Sequence, residues 1–290
     1  MTMRTTLARV LANEDINFLL TNRIPRRWLT LAMGRFSKIR QPWVRDFSIA
    51  AWRALSDLDL SEAKKPHFDS LHECFTRQLQ DGARPIDPDP GVLVSPCDAI
   101  VGAVGEVTQG MALQAKGFRY PVEDLFGDAR SAARFADGRF VTLRLTATMY
   151  HRFHAPADCT VRHVRYMSGD TWNVNPIAVK RIERLFCKNE RAAIDCELSA
   201  SGEVMTLVPV AAILVASIRL NWLDVLLNLK YRGANSIPCQ ARFVRGQEMG
   251  WFEHGSTIIV FVPGRYRLAP GVEPGTRIRM GQALFRQQTV

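Results

Sequence analysis

The sequence predicts an α+β protein: amphipathic helices at the N-terminal end, then a mostly antiparallel β sandwich or barrel-like core. Three observations predict it. Apolar residues recur at helical spacing in the first part of the chain. Short strand-length apolar runs take over after residue 90. Between them, Gly82 to Pro90 holds three prolines, two aspartates and a glycine, which marks the boundary. The expected division is 1–90, a helical region, and 91–290, a β-rich domain.

From Ile16 to Arg45 there are seven basic residues (Arg23, Arg26, Arg27, Arg35, Lys38, Arg40, Arg45) and no acid. Pro25 suits the first turn of a helix, and Trp28, Ala32, Phe36 and Ile39 follow at helical spacing beside Leu29 and Met33. Pro42 restarts the pattern, with Trp43, Phe47, Ala50, Ala51 and Ala54 as a second stripe. Tryptophans and cations on short amphipathic helices suit the headgroup layer of an anionic bilayer. Packing of the same stripes on the protein's own core is the plainer alternative. Ser61 to Lys65 and Phe68 to Leu79 read as a third helical region.

The strand-like runs are 92–94, 100–104, 140–147, 159–166, 192–198, 204–215, 242–244 and 257–262. The cleanest is Phe140 to Ala147, where Val141, Leu143 and Leu145 alternate with Thr142, Arg144 and Thr146.

Composition narrows the class. At 290 residues with 47% hydrophobic and 23% charged residues, the chain is globular rather than disordered. A net charge of +10 favours an anionic partner. No run reaches the roughly 18 apolar residues a membrane span needs; Val208 to Ile218 is better read as a buried strand. Met1 to Ala12 lacks an apolar signal core, so a cytoplasmic location, on a membrane face, is expected. The six scattered cysteines form no C-x-x-C pair and read as reduced, buried thiols. Basic residues with aromatics also suit nucleic acid, but no nucleic-acid signature accompanies them.

Four residues can carry chemistry. Ser256 follows Gly255 at the entry to the last long strand-like run. A hydroxyl next to a glycine carbonyl can attack it if a base takes its proton. His151 and His154, in Tyr150-His151-Arg152-Phe153-His154-Ala155-Pro156, follow the cleanest strand and can approach one pocket. A metal site would need further ligands at fitting spacing, and none is seen. Asp98, in the turn Ser95-Pro96-Cys97-Asp98, is a candidate partner to orient a histidine. Taken singly, Ser256 and Asp98 are also ordinary turn residues, while the histidine motif is more unusual. Lys116 to Tyr120 and Asn189-Glu190-Arg191 read as turn and ion-pair residues; Asn173 and Asn175 are polar groups open to either role.

Taken together, the motifs resemble the phosphatidylserine decarboxylases of the bacterial membrane-associated type. Gly255-Ser256-Thr257 matches that family's self-cleaving tripeptide, with Gly246 to Gly250 upstream. Tyr150 to Pro156, Ser95 to Asp98, Asn189 to Arg191, and Lys116 to Tyr120 match further elements in the family's order and spacing. Departures fall at His254, where leucine is usual, at Ala216, where glycine is usual, and at Thr146 to Met149. None removes a candidate catalytic group.

The resemblance implies a two-stage history. Asp98 and His154 would activate Ser256, which breaks the chain after Gly255 to give 1–255 and 256–290. Ser256 would thereby become a covalent pyruvoyl group, with no metal. That group would form a Schiff base with phosphatidylserine and release carbon dioxide and phosphatidylethanolamine, with His151, or alternatively His154, delivering the proton. The implied partners are an anionic phospholipid membrane and the two fragments of the chain itself, as a dimer of heterodimers, without nucleic acid. The implied location is the cytoplasmic face of the inner membrane. Two alternatives stand beside it: a pyruvoyl decarboxylase for a soluble amino acid, and an unprocessed membrane- or nucleic-acid-binding β-domain.

Overall fold

The structure, a computed structural model, describes residues 13–115, 117–213, 217–224, 226–228, 231–253 and 256–288. Helices come first and sheets follow, as the periodicities require. Glu14–Asn22 is capped by Asn13, whose side chain accepts from the Asp15 and Ile16 amides. Arg26–Phe36 and Pro42–Leu55 follow the two predicted stripes, the second with proline in its first turn. The third helical region is much shorter than expected. Only Leu71–Phe75 is helical, capped by Ser70, while Ala63 and Leu79 form an isolated bridge. The two ends of the region are spent on each other instead: the Lys64 amide donates to the Gln78 carbonyl and the Gln80 amide to the Glu62 carbonyl, both at 2.9 Å, which pairs 62–64 with 78–80.

The β region is built on an eight-stranded sheet. Its spatial order is Ser236–Phe243, Cys159–Met167, Arg191–Leu198, Val204–Ala211, Ser256–Val262, Arg139–Leu145, Ala99–Glu106 and Arg277–Ile278. Every pairing in it is antiparallel. A four-stranded sheet of Leu226–Asn228, Ser217–Leu220, Glu248–Phe252 and Arg152–His154 accompanies it. Smaller sheets of three and two strands complete the set, and no barrel closes among the described residues.

Both faces of the large sheet are covered. On one, Leu143, Leu145, Ile258 and Val260 share a core with Phe153, Ile218, Leu220 and Phe252 of the four-stranded sheet. On the other, Phe140, Val208, Val210, Ile259 and Phe261 pack against Val122, Leu125, Phe126 and Phe186, carried by short helices. Each such buried side chain contributes roughly 1.5–3 kcal/mol relative to exposure. This double cover is why Ile258 to Val262 is uninterrupted in its apolar character, with all seven residues from Ser256 buried. It also corrects the simple alternation read for 140–147: Thr142 faces a second core, not water.

The run Val208 to Ile218 is not one strand. Val204–Ala211 belongs to the large sheet and Ser217–Leu220 to the smaller one. Short strands such as Arg152–His154, Glu248–Phe252 and Ala283–Gln287 carry too few alternations to be read from sequence. Lys116, Ala216, His254 and Gly255 lie outside the described residues.

Candidate active site

Ser256 is the first residue of the central strand, paired with Leu145 on one side and Ala211 on the other. Ala211 is itself held: its amide donates to the Glu190 carbonyl at 2.8 Å, and its carbonyl accepts from the Asn189 side chain at 2.8 Å. The Arg191 guanidinium, nearly buried, donates to the carbonyls of Asp124, Leu125, Cys187 and Asn189. The Asn189-Glu190-Arg191 triplet thus ties down the strand beside Ser256 through backbone carbonyls rather than through an ion pair. Asn189 to Arg191 could be found in the sequence, but their work as a strand anchor depends on contacts far away in the chain.

The Ser256 side chain is fully buried, and its hydroxyl has no hydrogen-bond partner among the described residues. An unsatisfied buried hydroxyl in a native structure calls for an explanation. Ser256 lines a cavity of about 510 Å³ at the end of the sheet. Met33 and Trp52 come to it from the Arg26–Phe36 and Pro42–Leu55 helices, and Leu71 and Phe75 from the short Leu71–Phe75 helix. Asn173 and Asn175 line it from the turn that starts the Pro176–Arg181 helix, where Asn175 caps the Ala178 amide. They serve as cap and as wall at once.

The histidine segment runs antiparallel to the segment leading to the serine: Arg152–His154 pairs with Glu248–Phe252. Gly250 lies in that pairing, and a Cβ there would sit 2.1 Å from the Arg219 carbonyl oxygen. Only glycine allows this approach. His151 is fully buried, donates from Nδ1 to the Met149 carbonyl at 2.8 Å, and packs on Phe75 with ring centroids 4.0 Å apart. Phe75 also lines the Ser256 cavity, so His151 stands one side chain away from it.

His154 and Asp98 are neighbours: the His154 amide donates to the Pro96 carbonyl at 2.8 Å. The structure does not join their side chains. His154 Nδ1 donates to the Gly246 carbonyl at 2.8 Å, which leaves Nε2 to accept from the Tyr150 hydroxyl at 3.0 Å. Gly246 is at φ +82°, a conformation glycine supplies cheaply. Asp98 takes a bidentate grip from Arg84, at 2.9 and 2.6 Å, and the Met280 amide at 2.9 Å. The expected Asp98–His154 hydrogen bond is therefore replaced by Arg84–Asp98 and Gly246–His154. Asp98 still acts on His154 through its field. Burial lowers the His154 pKa below the ordinary histidine value; the Gly246 hydrogen bond, then the charges of Glu248 and Asp98, pull it back up.

His154 lines a second, more polar cavity of about 300 Å³ with Arg84, Tyr150 and Glu248. No hydrogen bond joins Ser256 to either histidine. Arg84 and Tyr150 are the site neighbours that sequence reasoning missed. Tyr150 lay inside the histidine motif and Arg84 inside the proline-rich boundary, but only the fold puts them on His154 and Asp98. Among the described residues, no three His, Cys, Asp or Glu side chains converge on a metal-sized site.

An apolar cavity with a few polar groups gathered at one end, and a buried serine in its wall, has the make-up of an enzyme pocket. The profile of the family described as Phosphatidylserine decarboxylase matches residues 71–286. Relatives include the phosphatidylserine decarboxylase proenzymes of Azotobacter vinelandii, 35% identical over 93% of this chain and 98% of the relative, and of Pasteurella multocida, 34% identical over 91% and 92%. That of Brevibacillus brevis is 32% identical over 91% and 95%. The chain belongs to the phosphatidylserine decarboxylase family.

Proposed function

We propose that this protein decarboxylates phosphatidylserine to phosphatidylethanolamine, and that it does so after cutting itself between Gly255 and Ser256. The observation that carries the reading is the buried Ser256 hydroxyl, without a hydrogen-bond partner among the described residues, beside an apolar cavity walled partly by the N-terminal helices. The relatives' name, proenzyme, supports a precursor that is processed.

The chemistry follows from the residues. Ser256 Oγ attacks the Gly255 carbonyl carbon, and the peptide becomes an ester. His154 is the base; burial keeps its ring neutral near pH 7, with the Nε2 lone pair facing the Tyr150 hydroxyl. Proton removal requires His154 to exchange that partner for Ser256, and Asp98 to steady the charge that the ring gains. Elimination across Cα and Cβ of residue 256 then frees the chain ending at Gly255. Overall one water is taken up and one ammonia lost. A pyruvoyl group at position 256 supplies an electron-withdrawing carbonyl for the substrate amine. The residues present fit it: a fully buried position in a rigid strand, next to a cavity without acidic side chains among the described residues. His151 holds the proton for the product carbon, its orientation fixed by Met149 and Phe75. The division would be 1–90 for membrane contact and 91–290 for catalysis, with 1–255 and 256–290 staying associated through the large sheet.

Direct measurement tests this reading. The purified protein should release carbon dioxide from phosphatidylserine in mixed micelles and none from free serine. Release from free serine alone would favour the soluble-substrate alternative. No release from either would sink the enzyme assignment.

The membrane face has its own support. Trp28, Trp43 and Phe47 are 77%, 72% and 76% exposed, on the same helices that send Met33 and Trp52 to the cavity. Among the described residues no helix is long and apolar enough to cross a bilayer. A peripheral seat on the cytoplasmic leaflet would let the headgroup reach Ser256 while the acyl chains stay in lipid. Replacing Trp43 and Phe47 together by aspartate should weaken binding to anionic vesicles about 10- to 100-fold. Because both rings are exposed, melting temperature should hardly move. Unchanged vesicle binding in a sedimentation assay would remove these helices from the docking face. The dimer of heterodimers is tested by mass in solution.

A further inference from the structure

The substrate proposed above carries two anionic groups: the carboxylate it loses and the phosphodiester it keeps. Among the described residues, the cavity at Ser256 has one charged side chain in its wall, Arg144. Arg144 lies on the Arg139–Leu145 strand, opposite Thr257 and next to Leu145, the register partner of Ser256. Alternation sends Arg144 and Leu145 to opposite faces of the sheet, and the cavity takes in residues of both faces at the strand ends.

A half-buried guanidinium normally has a carboxylate or a set of carbonyls. Arg191, elsewhere in this fold, shows what satisfaction looks like, with four carbonyl acceptors. The Arg144 backbone is paired in the sheet with Thr257 and Ile100, but its side chain makes no hydrogen bond or ion pair among the described residues. The acids of nearby strands are committed to other partners: Glu106 to Arg139, and Asp195 to Arg165. The residues outside the described set contribute no acidic side chain either, since none of them is Asp or Glu. Burial lowers the Arg144 pKa below its ordinary value and no carboxylate opposes it. The cation is held partly dry, its donors unspent on any described residue, in the cavity where the substrate would sit.

Resting on the decarboxylase reading, we propose that Arg144 binds the phosphodiester of the lipid substrate through its paired N–H donors. The carboxylate is the wrong partner on energetic grounds. Its charge disappears as carbon dioxide forms, so a cation paired with it would stabilise the ground state more than the transition state and slow the reaction. The phosphodiester keeps its charge from substrate through product, so pairing there holds the lipid without opposing the chemistry. A planar fork suits a phosphate better than a point charge does. Arg144 is therefore a specificity residue, not a proton carrier.

The test uses Arg144→Gln and Arg144→Lys in the full chain, with self-cleavage and melting temperature as folding controls. With short-chain phosphatidylserine, Arg144→Gln should raise KM about 10- to 100-fold and change kcat less than about threefold. Arg144→Lys should recover part of the loss. Affinity for short-chain phosphatidylethanolamine, which has the phosphodiester and no carboxylate, should fall by the same factor as KM rises. Weakened binding of phosphatidylserine with unchanged binding of phosphatidylethanolamine would overturn the proposal in favour of the carboxylate. Unchanged affinity for both would overturn it outright. If Arg144→Gln fails to process itself, Arg144→Lys carries the same titrations, a KM and phosphatidylethanolamine affinity equal to wild type being the contrary result. Wild-type protein that releases no carbon dioxide would defeat the decarboxylase reading instead, which is a separate outcome.

Discussion

Replacing Ser256 by alanine is expected to leave the protein as one uncut chain and to bring decarboxylation down to background. Both losses come from a single oxygen. Without Oγ nothing attacks the preceding carbonyl, and without the cut no carbonyl group arises at position 256. The effect is all-or-none, unlike the loss of a binding residue. The variant should still fold. Ser256 is buried with no hydrogen-bond partner among the described residues, so alanine removes an unsatisfied hydroxyl rather than a bond. Its melting temperature should equal or exceed that of an uncut wild-type precursor. A processed Ser256→Ala protein, seen as two bands on a denaturing gel, would refute the nucleophile assignment.

The second large effect separates the two histidines. His154→Ala should slow self-cleavage by roughly 10²- to 10⁴-fold, the range for loss of a positioned base. His151→Ala should spare cleavage and depress turnover by a similar factor, because His151 stands against Phe75 at the wall of the substrate cavity. Equal loss of both steps in His151→Ala would defeat that division. pH dependence gives an independent check on His154. Burial lowers its pKa in the folded protein, so the ring is neutral above the ordinary histidine value of about 6.5. The cleavage rate should be flat above that pH and fall as pH drops through the lower, folded value. Stability follows the same sign. What the buried neutral ring contributes is complete above about pH 6.5 and declines as acid protonates the unfolded chain first. An inflection above 6.5 in wild-type cleavage would contradict the burial argument.

The alternation at 140–147 and the helical stripes near Trp28 and Trp43 were legible because each rests on a local period that one face of a strand or helix imposes. The Leu71–Phe75 helix shows the limit. Apolar spacing suggested longer helical pieces, and the pairing of 62–64 with 78–80 across the Ala63–Leu79 bridge cut them short. Ser256, His151, His154 and Asp98 could be picked out by residue type and motif. Their contacts could not. That Arg84 occupies Asp98, and Tyr150 the His154 ring, depends on chain segments brought together by the fold. Arg144 read as one polar member of an alternating strand; only the fold makes it the one charged side chain among the described residues of the cavity wall.

Tyr150 gives the His154–Ser256 step a physical requirement. A base whose lone pair already accepts a hydrogen bond must release it before taking a proton, which costs about 0.5–1.5 kcal/mol for an ordinary bond and more if the hydroxyl stays buried. The Arg84–Asp98 pair poses the same demand on the acid. The precursor is thus expected to fold first and cut itself afterwards, as a slow step distinct from folding.

The central claim is that residue 256 is consumed in making the enzyme, and intact mass spectrometry of purified, active protein tests it most directly. The account predicts two chains, 1–255 and 256–290, whose summed mass equals that of the precursor plus one water minus one ammonia, the shorter chain having no free amino terminus. A single 32.7 kDa chain in a preparation with full decarboxylase activity would contradict it.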